Sequence, residues 1–223
     1  MTVSPIRLLL VDDHAAFRVP LALVLEREPD LVVAAQAGSL TEARAVLPEI
    51  AGTFDVALVD LHLPDGNGVA VVRDLRAANP QAPIIVLTAD AEPLHHANAI
   101  EAGAAGVVSK FAQPAEIVEA IRRVQAGGTV QPAQEIIRLL RLAGQERERT
   151  REVQATLAQL TPREREVLSL LAEGLDNQAI AERLFISPDT ARAHVVKVLG
   201  KLEVESRLQA AIFAIRHGTD PAS

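Results

Sequence analysis

The sequence predicts an α/β domain built on a doubly wound, five-stranded parallel sheet, joined by a helical linker to an all-α domain. Five short apolar runs alternate with helical stretches over residues 1–127. The linker is predicted over 128–157, because a charged stretch of helix-forming residues covers 132–159, and residues 158–223 carry helix caps without strand-like alternation. Alternating strands and helices are typical of a parallel sheet with helices on both faces. The length of 223 residues also exceeds that of most single domains.

The apolar runs are short and rich in leucine or β-branched residues, which is typical of strands that are buried on both faces. They read IRLLLV (6–11), LVVAAQA (31–37), VALVDL (56–61), IIVLTA (84–89) and GVVSK (106–110). An amphipathic stretch follows each run, so five βα units are predicted. Pro20 lies inside the first helical stretch and is expected to kink that helix or delay its start.

The C-terminal region has the signals of a small helical domain. Thr161, Pro162 and Glu164 form the pattern of a capping box with proline in the first turn. Asn177 and Ser187 open a short helix and a longer one with a brief turn between them, which fits a helix-turn-helix. Periodicity alone also allows an ordinary small helical bundle.

Composition excludes several classes of protein. Cysteine is absent, which excludes disulfides and thiolate metal sites. No apolar run approaches the roughly 18 residues of a membrane span, and the N-terminus lacks the pattern of a signal peptide. These features predict a cytoplasmic protein without a membrane partner. The net charge of −7 gives no bulk signature of nucleic-acid binding, so a DNA interface would depend on local charge.

Polar residues suited to one chemistry follow four of the predicted strands. They are Asp12 and Asp13 after the first strand, Asp60 at the third, Thr88 at the fourth and Lys110 at the fifth. The carboxyl ends of parallel strands meet at one edge of a sheet, where ligands bind, so these side chains are expected to converge. Taken singly, each also fits a structural role: the acids as caps or turn residues, the threonine as a turn hydroxyl and the lysine as a solvated charge.

The predicted carboxylate cluster needs a compensating partner, because three neighbouring carboxylates repel one another unless one is protonated or a cation lies among them. Oxygen ligands without histidine or cysteine spacing favour Mg²⁺, which also pairs with phosphate. A carboxylate beside Mg²⁺ can act as a nucleophile towards a phosphoryl group, and a nearby hydroxyl and ammonium can bind the phosphoryl oxygens. The sequence therefore predicts phosphoryl chemistry at this edge, with Mg²⁺ as the cofactor.

Residues 1–127 resemble the receiver domain of bacterial two-component response regulators, which has a flavodoxin-like fold. The resemblance rests on VDDH (11–14), DLHLPDGNG (60–68), LTA (87–89) and AGAAGVVSK (102–110). It implies that Asp60 is the phosphoacceptor and that a cognate sensor histidine kinase is the donor and partner.

The same resemblance implies roles for the neighbouring residues. The ligands of Mg²⁺ would be Asp12, Asp13, Asp60 and the backbone carbonyl of His62, and the contacts to the phosphoryl group would come from Thr88 and Lys110. One switch position departs from the family, since Val107 stands where members usually carry an aromatic ring that changes rotamer on phosphorylation. Valine has no ring to move, so a regulator controlled by a ligand or a partner protein, rather than by phosphate, stays open as the alternative.

A phosphohydrolase of the haloacid dehalogenase type is a further alternative for the acid set. Those enzymes need an aspartate two residues after the nucleophile, as general acid and base, and that position holds His62. The expected activity is therefore acceptance of a phosphoryl group with at most slow self-dephosphorylation, not enzymatic turnover. The adjacent His95 and His96 are predicted to be solvated helix residues rather than metal ligands.

Residues 160–204 resemble the LuxR-type DNA-binding domain along LTPREREVLSLLAEGLDNQAIAERLFISPDTARAHVVKVLGKLEV. Together with a receiver, this domain defines the NarL/FixJ class of response regulators. The resemblance implies that the helix from Pro188 to about Leu202 enters the major groove of double-stranded DNA. The apolar spacing i, i+3, i+4, i+7 predicts its buried face, which consists of Val195, Val198, Leu199 and Leu202.

The opposite face of that helix is the expected DNA surface. Its candidate contacts are Thr190, Arg192, Ala193, Val196, Lys197 and Lys201. Residues 187–201 carry three Lys/Arg against one acid, which is a local positive patch. The apolar side chains at 193 and 196 are expected to touch thymine methyl groups.

The resemblance also implies a homodimer that reads paired DNA half-sites. Such half-sites lie about one helical turn apart, on the order of 34 Å. Residues 206–216 would supply the dimer contact, with Leu208, Ala211 and Ile212 as its candidate residues.

Overall fold

The computed structural model describes residues 4–50 and 52–217. The chain divides into two compact units, with the boundary between Gln145 and Glu146. Residues 1–3, 51 and 218–223 of the predicted domains lie outside the described residues. Among the described helices, none combines the length and apolar character needed to cross a lipid bilayer.

The first unit contains the predicted five-stranded parallel sheet. The strands of this unit are β1 (Ile6–Val11), β2 (Leu31–Ala37), β3 (Val56–Asp60), β4 (His62–Leu63), β5 (Gly66–Asn67), β6 (Ile84–Thr88) and β7 (Gly106–Ser109). The main sheet has the order β2-β1-β3-β6-β7, and all its neighbours are parallel. The strands β4 and β5 form a separate antiparallel pair. The sequence does not predict this pair, because two-residue strands show no periodicity.

Five helices accompany these strands. They are α1 (Ala15–Leu25), α2 (Leu40–Ile50), α3 (Gly68–Ala78), α4 (Pro93–Glu101) and α5 (Pro114–Gln125). Of the two effects expected of Pro20, the delayed start does not occur, since α1 begins at Ala15 and includes the proline. The amides of Phe17 and Arg18 donate to the carbonyl of His14, which closes the first turn ahead of the proline.

Both faces of the main sheet are buried, which explains why its strands read as continuous apolar runs. Successive side chains of a strand point to opposite faces. Along β1, Leu8 and Leu10 accordingly belong to one core cluster, and Leu9 and Val11 belong to the other. The buried acid Asp12 comes directly after the last residue of β1, at the end of such a run.

A single long helix, α6 (Ala133–Ala158), follows and confirms the prediction of a helical linker. Its first half belongs to the first unit, where Leu139 and Ala143 are buried in the same core cluster as Val107. The boundary between the units falls within this helix. The domain limits 1–127, 128–157 and 158–223 stay predictions.

The second unit is all-α, as predicted, and its further helices are α7 (Pro162–Ala172), α8 (Asn177–Leu184), α9 (Pro188–Lys201) and α10 (Arg207–His217). The capping box forms at α7: the Thr161 amide donates to Glu164 Oε2 at 2.8 Å, and the Glu164 amide donates to Thr161 Oγ1 at 3.3 Å. The predicted inner face of α9 is also confirmed, because Val195, Val198 and Leu202 are buried and Leu199 packs against them.

Candidate functional site

An acidic pocket lies at the carboxyl end of the central strands. Asp60 is the last residue of β3, and Asp12 follows β1 directly. These strands are parallel neighbours with Val11 opposite Val59, so the two carboxylates lie side by side at one edge. Both are buried, with exposed fractions of 4% for Asp12 and 2% for Asp60.

Lys110 links the two buried carboxylates. Its backbone amide donates to the carbonyl of Thr88 at 2.9 Å, which places it after β7 at the same edge. The Nζ atom lies 2.6 Å from Asp60 Oδ2 and 2.7 Å from Asp12 Oδ2. Burial alone would lower the pKa of Lys110, but the contacts with Asp12 and Asp60 outweigh burial and raise the pKa above its usual value. The ammonium therefore stays charged and compensates part of the acidic charge.

Asp13 and His14 complete the pocket. His14 Nδ1 lies 2.6 Å from Asp13 Oδ1, and one ligand atom each from Asp12, Asp13, His14 and Asp60 lies within 4.8 Å of the others. Two buried oxygens face a nitrogen at short distance without an aligned hydrogen bond from the described residues: Asp12 Oδ2 lies 2.7 Å from Lys110 Nζ, and Asp13 Oδ1 lies 2.6 Å from His14 Nδ1. Such oxygen atoms suit Mg²⁺, so the residues fit the cation. His14 is absent from the predicted ligand set, although its place after two aspartates was a signal for it.

The loop after Asp60 is fixed by close backbone packing. A Cβ at Gly68 would lie 1.9 Å from the carbonyl oxygen of Asp60, so a larger residue would displace the backbone of the pocket. Asp65 accepts hydrogen bonds from the amides of Leu40 and Thr41, both at 2.8 Å. Hydrogen bonds from the Thr41 side chain and from both amides hold the pKa of Asp65 at about 2. The loop is therefore tied to the start of α2.

Thr88 and His62 flank the pocket. Thr88 ends β6 and is buried, and its Oγ1 accepts a hydrogen bond from the amide of Asp90 at 3.0 Å. The His62 amide lies 3.3 Å from Asp60 Oδ1 and donates to it. The structure thus brings Asp12, Asp60 and Lys110 into direct contact and holds Thr88 on the adjacent strand, while the individual roles of these residues stay predictions.

Val107, the predicted switch position, lies in β7 and is buried. Its backbone is held by the side chain of Gln131, which accepts from the Val107 amide at 3.1 Å and donates to the Val107 carbonyl. A Cβ at Gly106 would lie 2.3 Å from Val130, so the segment before α6 packs tightly on this strand. Phe111, directly after Lys110, is 81% exposed.

The DNA-facing candidates mostly lie on the exposed side of α9. The exposed ones are Thr190, Arg192, Ala193, Val196 and Lys197. The Thr190 hydroxyl is 2.8 Å from that of Ser187 at the start of the helix. Val196 is 61% exposed, an apolar side chain among polar neighbours. Within the second unit, this face of α9 is therefore exposed to solvent.

Lys201 differs from the other candidates because its ammonium is already engaged. The Nζ atom lies 2.6 Å from Glu164 Oε2 and 3.0 Å from the carbonyl oxygen of Gln159. The Lys201 hydrogen bond, followed by that of the Thr161 amide, holds the pKa of the buried Glu164 at about 2. Lys201 therefore fixes the end of α9 to the start of α7, and a DNA contact by Lys201 stays a prediction that competes with this ion pair.

The last helix carries an exposed apolar stripe. Leu208 is 67% exposed and Ile212 is 41% exposed, and Ala211 is half-buried between them. Ile215, which was not among the predicted contacts, continues the stripe with 68% exposure. Residues at i, i+4 and i+7 share one helix face, so the stripe is continuous.

The fold and the acidic pocket define a receiver joined to a helix-turn-helix domain, and two families match the chain accordingly. The response regulator receiver domain matches residues 8–122, and the luxR family of bacterial regulatory proteins matches residues 158–214. The chain belongs to the response regulators of two-component systems, in the group that carries a LuxR-type DNA-binding domain. The predicted fold class and family are thereby confirmed.

Relatives match over nearly the whole chain. The DNA-binding transcriptional activator DevR/DosR of Mycobacterium tuberculosis is 39% identical over 212 residues, which is 94% of each chain. The transcriptional regulatory protein LiaR of Bacillus subtilis is 36% identical over 215 residues, 95% of this chain and 98% of LiaR.

Solved structures match in the same way. The crystal structure of ChrA, a response regulator in a heme-sensing two-component system, has a TM-score of 0.51 and 28% identity, and the match covers 98% of this chain and 100% of that one. An RcsB–DNA complex has a TM-score of 0.54, covers 96% of this chain and 100% of that one, and at 24% identity supports the fold alone.

Proposed function

We propose that Asp60 accepts a phosphoryl group from a sensor histidine kinase and that this event controls DNA binding by the second unit. The observation that carries the proposal is the contact of Lys110 Nζ with Asp60 and Asp12, at 2.6 and 2.7 Å. An ammonium held beside a buried carboxylate at a strand end is placed to bind the oxygens of an incoming phosphoryl group.

The transfer uses groups that the pocket already holds. A carboxylate oxygen of Asp60 attacks the phosphorus of a phosphohistidine, the P–N bond breaks as the O–P bond forms, and the electron pair returns to the imidazole nitrogen. Lys110 binds one phosphoryl oxygen. Thr88 Oγ1 accepts the Asp90 amide, which leaves its own hydrogen free to donate to another phosphoryl oxygen.

The cation ligands of the proposal are Asp12, Asp13, Asp60 and the backbone carbonyl of His62. When bound, the ion would neutralise part of the negative charge on the phosphoryl group. The position two residues after Asp60 holds His62, so the general acid of a haloacid dehalogenase is missing and the chain acts as an acceptor rather than an enzyme of turnover. We place the protein in the cytoplasm, where both a kinase and DNA are accessible.

The proposal is tested with Mg²⁺ and beryllofluoride, a phosphoryl mimic, on the purified full chain. We expect the mass in solution to shift towards a dimer and DNA affinity to rise about tenfold, within the usual range of coupling free energies. The matched control, Asp60→Asn, should show neither change, because it lacks the carboxylate that binds the mimic. A wild-type protein that binds the mimic without either response would contradict the coupling.

A second candidate function is a regulator of the same fold that responds to a ligand or a partner instead of phosphate. The buried Val107, with its backbone held by Gln131, favours this candidate. Neither valine nor glutamine has an aromatic ring that could change rotamer as the ring of family members does. The beryllofluoride experiment separates the two candidates, since this regulator would leave both readouts unchanged in the wild type.

For DNA, we propose that the exposed face of α9 enters the major groove and that a homodimer reads paired half-sites. Arg192 and Lys197 would contact phosphates or base edges, and Thr190 would lie at the helix start. The exposed stripe of Leu208, Ile212 and Ile215 supports the dimer, because burial of such side chains against a second copy is favourable.

Replacing contacted thymines by uracil is expected to weaken DNA binding about fourfold at each contact, because a buried methyl-sized group is worth about 0.8 kcal/mol. The measurement is a titration of the full chain against a site obtained by in vitro selection, in its thymine and uracil forms. Val196→Ala should reduce the difference between the two DNAs. Lys197→Met is the control, since loss of a phosphate contact weakens binding to both forms equally. Equal affinity of the wild type for both forms would contradict the methyl contact.

A further inference from the structure

A second cluster of metal-binding side chains lies outside the acidic pocket. It consists of His62 in β4, Asp90 after β6 and His95 in α4. One ligand atom from each of the three lies within 4.8 Å of the other two. His62 Nε2 is 3.7 Å from Asp90 Oδ2, and His95 Nδ1 is hydrogen-bonded to the same oxygen. Three separate segments of the chain thus direct donors to one point.

The spacing of these donors suits a transition-metal ion. Bonds of about 2.1 Å in a tetrahedral site place neighbouring ligand atoms about 3.4 Å apart. The distance of 3.7 Å between His62 and Asp90 is close to this value. The tighter contact between His95 and Asp90 is a hydrogen bond whose shared proton an ion would replace. Two imidazoles with one carboxylate favour zinc, nickel or cobalt, whereas Mg²⁺ prefers oxygen ligands.

The surroundings of His95 add an independent feature. Glu92 Oε2 lies 3.8 Å from His95 Nε2, on the ring nitrogen opposite the one that faces Asp90. Metal-bound histidines commonly have a carboxylate on their other nitrogen, where it orients the ring and raises its basicity. His62 and His95 also line a surface cleft of about 280 Å³, and their side chains are 62% and 43% exposed. An ion therefore has a path to the site from solvent.

We propose that the side chains of His62, Asp90 and His95 form a binding site for a late first-row divalent cation of the zinc class. None of these side chains belongs to the proposed magnesium set, which uses only the backbone carbonyl of His62. For His95, the proposal departs from the expectation that it is a solvated helix residue rather than a metal ligand. Its neighbour His96 lies outside the site, because its Nε2 is 2.8 Å from the backbone carbonyl oxygen of Asp90.

The proposed site is connected to the acidic pocket through two backbone hydrogen bonds. The Asp90 amide donates to Thr88 Oγ1 at 3.0 Å, and the His62 amide donates to Asp60 Oδ1 at 3.3 Å. A bound ion would tie the loop after β3 to the loop after β6. It would therefore restrain the two segments that bracket Asp60, whether or not phosphorylation is the signal.

The test is titration of the full chain with Co²⁺ in excess Mg²⁺, followed by visible absorption and by displacement with Zn²⁺. We expect one Co²⁺ per chain with d–d bands of a nitrogen and oxygen site, and displacement by Zn²⁺. His62→Gln and His95→Gln should each weaken binding at least tenfold. Hydrogen exchange gives a second readout, since Zn²⁺ should protect segments 61–67 and 89–96 in the wild type and not in His95→Gln.

Two variants serve as controls. His96→Gln removes an adjacent imidazole of the same helix and should bind Co²⁺ as the wild type does. Asp13→Asn weakens the acidic pocket and should leave Co²⁺ binding unchanged, which supports a separate site even if the magnesium assignment fails. Full Co²⁺ binding in His95→Gln would overturn the proposal, as would loss of Co²⁺ binding in Asp13→Asn or the absence of Co²⁺ binding in the wild type.

Discussion

Lys110→Met is expected to lower the free energy of unfolding of the first unit by about 3 kcal/mol in Mg²⁺-free buffer at neutral pH. The side chain of Lys110 is 10% exposed, and those of its partners Asp12 and Asp60 are 6% and 3% exposed. Removal of the ammonium would leave two buried carboxylates side by side without compensation. The repulsion between two buried carboxylates is screened little. The expected loss of stability therefore lies at the upper end of the range for single substitutions.

The measurement is hydrogen exchange of the full chain, followed on peptides from β1 and β3. The matched control is the double variant Asp60→Asn with Lys110→Met, which removes one charge of each sign and should recover much of the loss. Addition of Mg²⁺ to Lys110→Met should also restore protection, because a ligand that binds the folded state stabilises it. If Lys110→Met without Mg²⁺ kept the same protection from hydrogen exchange as the wild type, the compensating role of the ammonium would be contradicted.

Lys201→Met is expected to cost about 2 kcal/mol of stability in the second unit, the range of a charge-assisted hydrogen bond whose partner stays buried. Glu164 would keep its charge without Lys201, while the capping bond from the Thr161 amide at 2.8 Å remains. Lys197→Met on the same helix is the matched control, because Lys197 is exposed. Lys201→Met should destabilise α7 and α9 in hydrogen exchange, whereas Lys197→Met should weaken DNA binding and leave exchange unchanged. The reverse result would make Lys201 a DNA contact, as first predicted.

The same ion pair predicts a pH dependence. The pKa of Glu164 is about 2 in the folded protein against 4.5 for a free glutamate. A depressed folded-state pKa gives stabilisation that is complete above the unfolded value and is lost as pH falls. The second unit of the wild type should therefore lose stability between about pH 4.5 and 2, and Lys201→Met should lose less over the same interval.

The fold was predictable from the sequence because its strands are buried on both faces. Ile84–Thr88 reads as an uninterrupted apolar run for this reason, and its last residue is the polar Thr88 at the sheet edge. The convergence of Asp12, Asp60 and Lys110 was also predictable from the sequence, since the carboxyl ends of parallel strands meet at one edge of the sheet. The capping box was likewise predictable, because Thr161 and Glu164 are only three residues apart in the sequence.

Other features depend on packing between distant segments, which periodicity does not encode. Lys201 and Glu164 are 37 residues apart, and each looks solvated until α9 lies against α7. His62 lies in β4 and His95 lies in α4, two segments that only the folded sheet brings together. The bond between Gln131 and Val107 spans 24 residues and has no sequence signature, because glutamine is an ordinary linker residue.

The Gln131 contact has a consequence for self-association. The strand β7 ends the sheet order, and an outer strand offers unpaired backbone groups that can join another chain. The Gln131 amide occupies both the N–H and the C=O of Val107, so it acts as a one-residue substitute for a neighbouring strand. A movement of the linker that withdraws this side chain would uncover the edge. We therefore expect Gln131→Ala to increase self-association of the chain, measured as its mass in solution, because the backbone groups of Val107 would lose these partners.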